Sequence, residues 1–380
     1  MRATMACLAV LAFSGWGWGA EEPPASGKYW VFIGTYTGGR SEGIYRAELD
    51  VRGGTLTQPE LAAKVEHPSF LAIHPSRKFL YAVGETGSRT DSGSVHAFRL
   101  DVQTGQLTPI NAVPSHGGAP CHLIVDRAGK NVLVANYTGG SAAMLRLRDD
   151  GGLSEQAAVV RYSGKSVNPQ RQEAPHAHSI NLDPTQKLAV VADLGLDKLH
   201  IHDYDPDTLA LKPVDRFLKL ADGAGPRHFA FHPTEKWAYV INELNCTLDV
   251  LHYETNGRFE IVQTVSTLPE SFRPGYSTAE VQVHPSGRFV YGSNRGHNTI
   301  VGFRIDPANG KLTLIGHQGE SIKTPRNFGI DPTGRWMIVG SQEGNLLVVY
   351  EIDQKTGELK VTGRTVPVGS PVCIKFVPKP

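Results

Sequence analysis

Apolar positions along this chain come in short alternating runs broken by turn residues, and one such unit keeps returning. In AFHPTEKWAYVINEL, aromatic and β-branched runs flank HPTEK, a tight-turn string, so the unit predicts strand, turn, strand. It recurs as AIHPSRKFLYAVGE, IVDRAGKNVLVANY, NLDPTQKLAVVADLG, QVHPSGRFVYGSNRG and GIDPTGRWMIVGSQE. The turn positions His74, Asp126, Asp183, His232, His284 and Asp331 lie 52, 57, 49, 52 and 47 residues apart. A second piece alternates with it, again two strands around a Gly, Asp or Asn turn, as in GSVHAFRLDVQTGQLTPI and NTIVGFRIDPANGKLTLIG. Seven such pieces occur, and four short strands per repeat predict a β-propeller.

One blade is split. KYWVFIGTYTGG (28–39) reads as a second strand with no first strand before it, and SPVCIKFVPKP (370–380) as a first strand with nothing after it. Joined, they complete a seventh blade and remove the open edge of a linear array. The expected fold is all-β: a seven-bladed propeller of four antiparallel strands per blade, one domain over 28–380, after a short linker at 21–27.

Composition adds limits. Glycine (41) and proline (25) are spread along the 380 residues, which suits many turns joining many strands. A net charge of +1 without basic runs argues against nucleic acid as partner. Residues 1–20 read as an export signal: Arg2, the apolar MACLAVLAFS, then GWG before Ala20 or Glu21. That apolar run is too short to span a bilayer, so the expectation is a periplasmic or secreted protein with no membrane span. A start codon placed too far upstream would instead leave the protein cytoplasmic. Cys121, Cys246 and Cys373 are too widely spaced for a disulfide framework or a metal knuckle and read as buried thiols. None of these signals encodes an oligomer, and a monomer is the working expectation.

Within a blade, the first strand runs antiparallel to the second, so its start shares a face of the disc with the end of the second. First-strand starts then bring Cys121-His122, His176, His178, Arg227-His228, Glu280 and Arg326 to one channel mouth. Second-strand ends add Glu85, Asn136-Tyr137, Asp193, Asn242-Glu243, Asn294-Arg295 and Gln342. A long polar insertion at 163–175 carries Arg171 and Glu173 to the same mouth. The turn residues His74, His232 and His284 fall on the opposite face, where Asp replaces His in three repeats, and are expected to cap turns.

Clustered arginines suit a phosphate or carboxylate, and a nearby histidine and glutamate can move a proton to or from water. The expected chemistry is attack of activated water on an ester of an anionic molecule, with arginine steadying the oxyanion. No GxSxG elbow is present, which disfavours a serine nucleophile. His176-x-His178 lacks a clear third ligand beyond Glu173, and His200-x-His202 sits on a third strand, so neither metal nor another cofactor is expected.

The motifs RQEAPHAHS, VADLGLDKL, GPRHFAFHP, YVINEL, VYGSNRGHNTI and TPRNFGIDP, with FIGTYTGG near the start, resemble the lactonase family of seven-bladed propellers. That family includes cycloisomerase-type 6-phosphogluconolactonases and the 3-carboxy-cis,cis-muconate lactonizing enzyme. The resemblance implies a metal-independent site where a histidine, a glutamate and two arginines act. By motif position these are His178 (or its neighbour His176), Glu243, Arg227 and Arg295. His176, Arg171, His228, Glu280, Arg326 and Asn294 are expected to bind the substrate, a small anionic lactone with 6-phosphogluconolactone as the default. His178 is the first choice of base, with His176 and Glu243 as alternatives. Two rival readings stand: a lactone-forming cycloisomerase, and an exported, non-catalytic propeller that binds a partner or an acidic glycan.

Overall fold

The computed structural model describes residues 24–212, 216–269 and 273–380. The expected export signal at 1–20 lies outside the described residues, as does the first part of the 21–27 linker. Seven antiparallel sheets form the blades. Their innermost strands follow one another round a central channel: Leu71–Ile73, Pro120–Val125, Ala177–Leu182, Pro226–Phe231, Ser277–Val283, Pro325–Ile330 and Pro371–Pro378.

Ring closure follows the split blade. The C-terminal strand Pro371–Pro378 pairs with Lys28–Thr35, which pairs in turn with Gly43–Asp50. Tyr29, Val31 and Ile33 then pack with Ile338 and Val349 of the preceding blade in one apolar cluster. Trp336 adds a hydrogen bond from its indole to Val51 O at 2.8 Å.

Burial explains why the second strands read as near-continuous apolar runs. Phe79–Gly84, Asn131–Asn136, Leu188–Asp193 and Trp336–Ser341 are buried at every position, because neighbouring blades cover both their faces. Outer strands such as Leu359–Pro367 face solvent and carry the polar residues.

The turn residues behave alike despite their different chemistry. His232 Nδ1 accepts the Thr234 and Glu235 amides, while its Nε2 donates to Gly287 O at 2.8 Å in the next blade. His284 makes the equivalent bond to Gly334 O at 2.7 Å. Asp183 and Asp331 cap their turns by accepting backbone amides. His200 stacks on Tyr162 and bonds Asp193, and His202 bonds the Tyr162 hydroxyl, so this pair is structural packing.

Candidate active site

The innermost strands share an irregularity near one end. In the fourth blade Pro226 pairs with Asn242 and His228 with Ile241, which leaves Arg227 outside the ladder. His178 is skipped between Ala177 and Ser179, and Arg326 between Pro325 and Asn327. Cys121 is skipped in the second blade, Ala279 and Glu280 in the fifth, and Val372 in the seventh. Each is a β-bulge, which re-aims a side chain and locally ends the two-residue alternation. Three of the bulged residues, His178, Arg227 and Arg326, thereby enter one side of the channel.

Glu243 is the hub of this mouth. Arg227 Nε donates to its Oε2 at 3.0 Å, Arg295 Nη2 lies 2.9 Å from the same oxygen, and Arg171 Nη2 donates to Oε1 at 2.6 Å. His178 Nε2 stands 3.9 Å from Oε2. Burial opposes ionisation of Glu243, but Arg295, Arg227 and Arg171 outweigh it and hold the carboxyl far below the usual range. Burial, then the charges of Arg227, His228 and Arg326, pushes the His178 imidazole well below its ordinary value, so it is neutral at pH 7. Arg227 is only 2 % exposed, and burial with the Arg326 and Arg295 charges lowers it to about 10, which leaves it protonated.

A cavity of about 270 Å³ opens above these groups, lined by Glu85, Tyr137, Arg171, His178, Glu243 and Arg326, among others. Arg326 lies over the Tyr36 ring at 5.2 Å, and Tyr36 donates to Glu85 at 2.9 Å. Among the described residues Arg326 has no carboxylate within ion-pair distance, unlike Arg171, Arg227 and Arg295. Four guanidinium groups therefore face two carboxylates, an excess of positive charge suited to an anionic ligand.

Not every expected residue joins this cluster. His176 sits behind Tyr137, stacked on its ring at 4.4 Å, and Nε2 contacts Glu173 at 3.2 Å. Asn294 corrects the expectation of substrate contact. Its amide donates to Thr267 O and Thr299 Oγ1, the role Asn136 and Asn242 fill with Ser141 and Thr247. It is a strand-end contact, fully buried against Thr267 of the preceding blade. Glu280 also departs from the mouth: its bulge turns it toward the opposite opening, where His228 Nδ1 contacts it at 3.2 Å.

Sequence reasoning missed Tyr36, which occupies the second-strand end of the split blade. The same strand-end rule finds it once that blade is joined. The bulges also had a signal, since Pro120-Cys121, Pro226-Arg227, Pro325-Arg326 and Pro371-Val372 each place a proline just before the skipped residue. Proline lacks an amide donor and favours such strand starts.

The profile of the family described as "Lactonase, 7-bladed beta-propeller" matches residues 30–376. The chain is 37% identical to a 6-phosphogluconolactonase of Bacillus subtilis over 92% of its own length and 99% of the relative's. It is 31% identical to a 6-phosphogluconolactonase of Formosa agariphila, covering 80% of this chain and 86% of that one. The solved structure of a periplasmic gluconolactonase of Pseudomonas aeruginosa superposes with a TM-score of 0.86 at 31% identity, covering 93% of this chain and 100% of that one.

Proposed function

The chain belongs to the lactonase family of seven-bladed β-propellers, and from that membership we propose that it hydrolyses an anionic sugar-acid lactone of the 6-phosphogluconolactone type at the Glu243 mouth. The observation that carries this reading is the Glu243 carboxylate, ringed by three arginines, beside a neutral His178 and Arg326, which has no carboxylate at ion-pair distance among the described residues.

In this reading His178 takes a proton from water as the water oxygen bonds to the lactone carbonyl carbon. Glu243 is the poorer base of the two, because its arginines stabilise the carboxylate. It instead orients His178 or the water. Arg295, which lines the cavity, steadies the oxyanion; among the described residues its Nε has no hydrogen-bond partner. As the tetrahedral adduct collapses, the ring ester bond breaks and His178 returns its proton to the leaving ring oxygen. Arg227, committed to Glu243 and to Ala279 O at 2.7 Å, is a positioning residue.

Arg326 and Arg171 receive the substrate's anionic group. An arriving anion offsets the arginine charge that depresses His178, so the base strengthens when substrate is bound.

The test is a set of aldonic lactones with and without a 6-phosphate, followed by proton release. Faster opening of the phosphorylated lactone, with that preference lost in Arg326→Met, supports the assignment. Equal rates on both, unchanged by the substitution, exclude it.

The compartment belongs to the same proposal. Residues 1–20 have the order of an export signal, and one similar structure is of a periplasmic gluconolactonase. Sequencing the N-terminus of protein from the periplasmic fraction is expected to find a start near Ala20 or Glu21. Intact Met1 in the cytoplasmic fraction overturns export.

A further inference from the structure

The channel has a second opening, on the face opposite the Glu243 mouth. There a funnel of about 530 Å³ runs inward from the turn prolines Pro184, Pro233, Pro285 and Pro332. Its wall is apolar, with Phe70 beside His122 and Lys375 and aliphatic side chains such as Ile124, Val281, Ile330 and Ile374, while Phe229 and Phe231 pack with Phe259 and Tyr253 between the blades. His122, His228, Glu280 and Lys375 face it from four different blades. A constriction with room for about 10 Å³, lined by Phe70, His178, Arg227 and His228, separates the funnel from the mouth. That volume holds at most a single water.

Hydrogen bonding fixes what each polar group offers. Asn327 Oδ1 accepts the Ile374 amide at 3.0 Å, so its Nδ2 must donate to Glu280 Oε2. The Val281 amide donates to Glu280 Oε1 at 3.0 Å, and His228 Nδ1 lies 3.2 Å from the same oxygen. The proton of His228 therefore sits on Nδ1 when Glu280 is ionised. Its Nε2 is left as a bare lone pair, buried and without a hydrogen-bond partner among the described residues. His122 Nδ1 accepts the Ile180 amide, which makes its Nε2 a donor. Lys375 holds its ammonium 4.6 Å from the Phe70 ring centre, with no carboxylate at ion-pair distance among the described residues. The funnel thus offers a cation, a neutral donor, a buried acceptor and an apolar wall, a combination typical of small-molecule sites.

We propose that this funnel is a second ligand site, distinct from the lactone-opening mouth, that takes a small aromatic carboxylate bearing a hydroxyl group. The carboxylate pairs with Lys375 and His122, the ring lies against Phe70 and the apolar wall, and the hydroxyl donates to His228 Nε2. This assignment goes beyond the hydrolase reading and does not depend on it.

The test is calorimetric titration of the full protein with 3- and 4-hydroxybenzoate at pH 8, where Glu280 is ionised, with benzoate and phenol as single-group controls. One hydroxybenzoate is expected to bind at one site per chain, and benzoate and phenol each about tenfold or more weaker. Lys375→Met removes the cation and Ala230→Phe fills the funnel. Each is expected to abolish binding while the rate of lactone opening stays at the parental value.

Four results overturn the proposal. They are no saturable binding of either isomer at millimolar ligand, equal affinity for the controls, binding that survives both substitutions, and binding lost in Arg326→Met, which would place the ligand at the mouth.

Discussion

Arg171 donates from Nη2 to Glu243 Oε1 at 2.6 Å, which ties the inserted loop to the end of a strand in the next blade. The same guanidinium nitrogen reaches the Tyr137 hydroxyl at 3.2 Å. Unlike Arg227, its side chain is 41 % exposed, so solvent screens the pair.

Arg171→Ala is therefore expected to act on binding more than on folding. KM for an anionic lactone should rise about tenfold, as for loss of a charge-assisted contact. Stability should change by no more than about 1 kcal/mol, the range of exposed pairs. Steady-state kinetics with a urea melt checks both.

Glu243→Gln has the opposite profile. It leaves the buried Arg227 and Arg295 without their counter-charge, a loss of about 3–5 kcal/mol for a buried pair broken on one side, and the more exposed Arg171 adds little to it. The rate should fall about 10²–10⁴-fold. Because the folded carboxyl is held below the ordinary value of 4.5, its contribution is present above that pH and lost as the pH falls further. The stability gap between parent and variant should stay level at neutral pH and narrow in acid, which denaturant melts across that range measure.

His178 sets the acid side of the rate profile. A base must be unprotonated, and this imidazole is depressed below its ordinary 6.5 by burial and then by Arg227, His228 and Arg326. The parental kcat/KM is expected to stay level down through pH 6.5. His178→Gln should lower it about 10²–10⁴-fold. An acid limb centred above 6.5 in the parent would count against His178.

Glu280 moves the other way. Burial raises its carboxyl to about 7, against the pull of Lys375, Arg227, the Val281 amide and Asn327, while His228 contacts it from the neighbouring blade. Between the ordinary 4.5 and about 7 the folded state binds the extra proton, so stability falls as pH rises through that window and levels above it. Glu280→Gln removes the titration. Its stability relative to the parent should improve between pH 5 and 8 by on the order of 2–3 kcal/mol, read from denaturation midpoints.

The sheets and the ring were legible in the chain because their causes are local or repeated. Alternation of period two, with turn residues such as His232-Pro233 and Asp331-Pro332, specifies strand pairs whatever surrounds them. The unmatched segments at 28–39 and 370–380 require each other, since an unpaired strand edge is unstable. The strand-end rule also placed Arg227 and Glu243 together, as antiparallel pairing alone demands.

Only the tertiary structure decided which way the residues at those ends point. Strand alternation assigns neighbours such as Arg227 and His228 to opposite faces, but the bulge breaks that alternation and lets both line the channel, His228 at its constriction. It sends Glu280 to the far funnel, while regular pairing keeps Asn294 in a blade contact. A bulge is a matter of register between two strands, and the clamp on Glu243 needs arginines from a loop and two separate blades. Neither can be read from one strand's residues, because the energy that selects each lies in contacts formed only when the ring has closed.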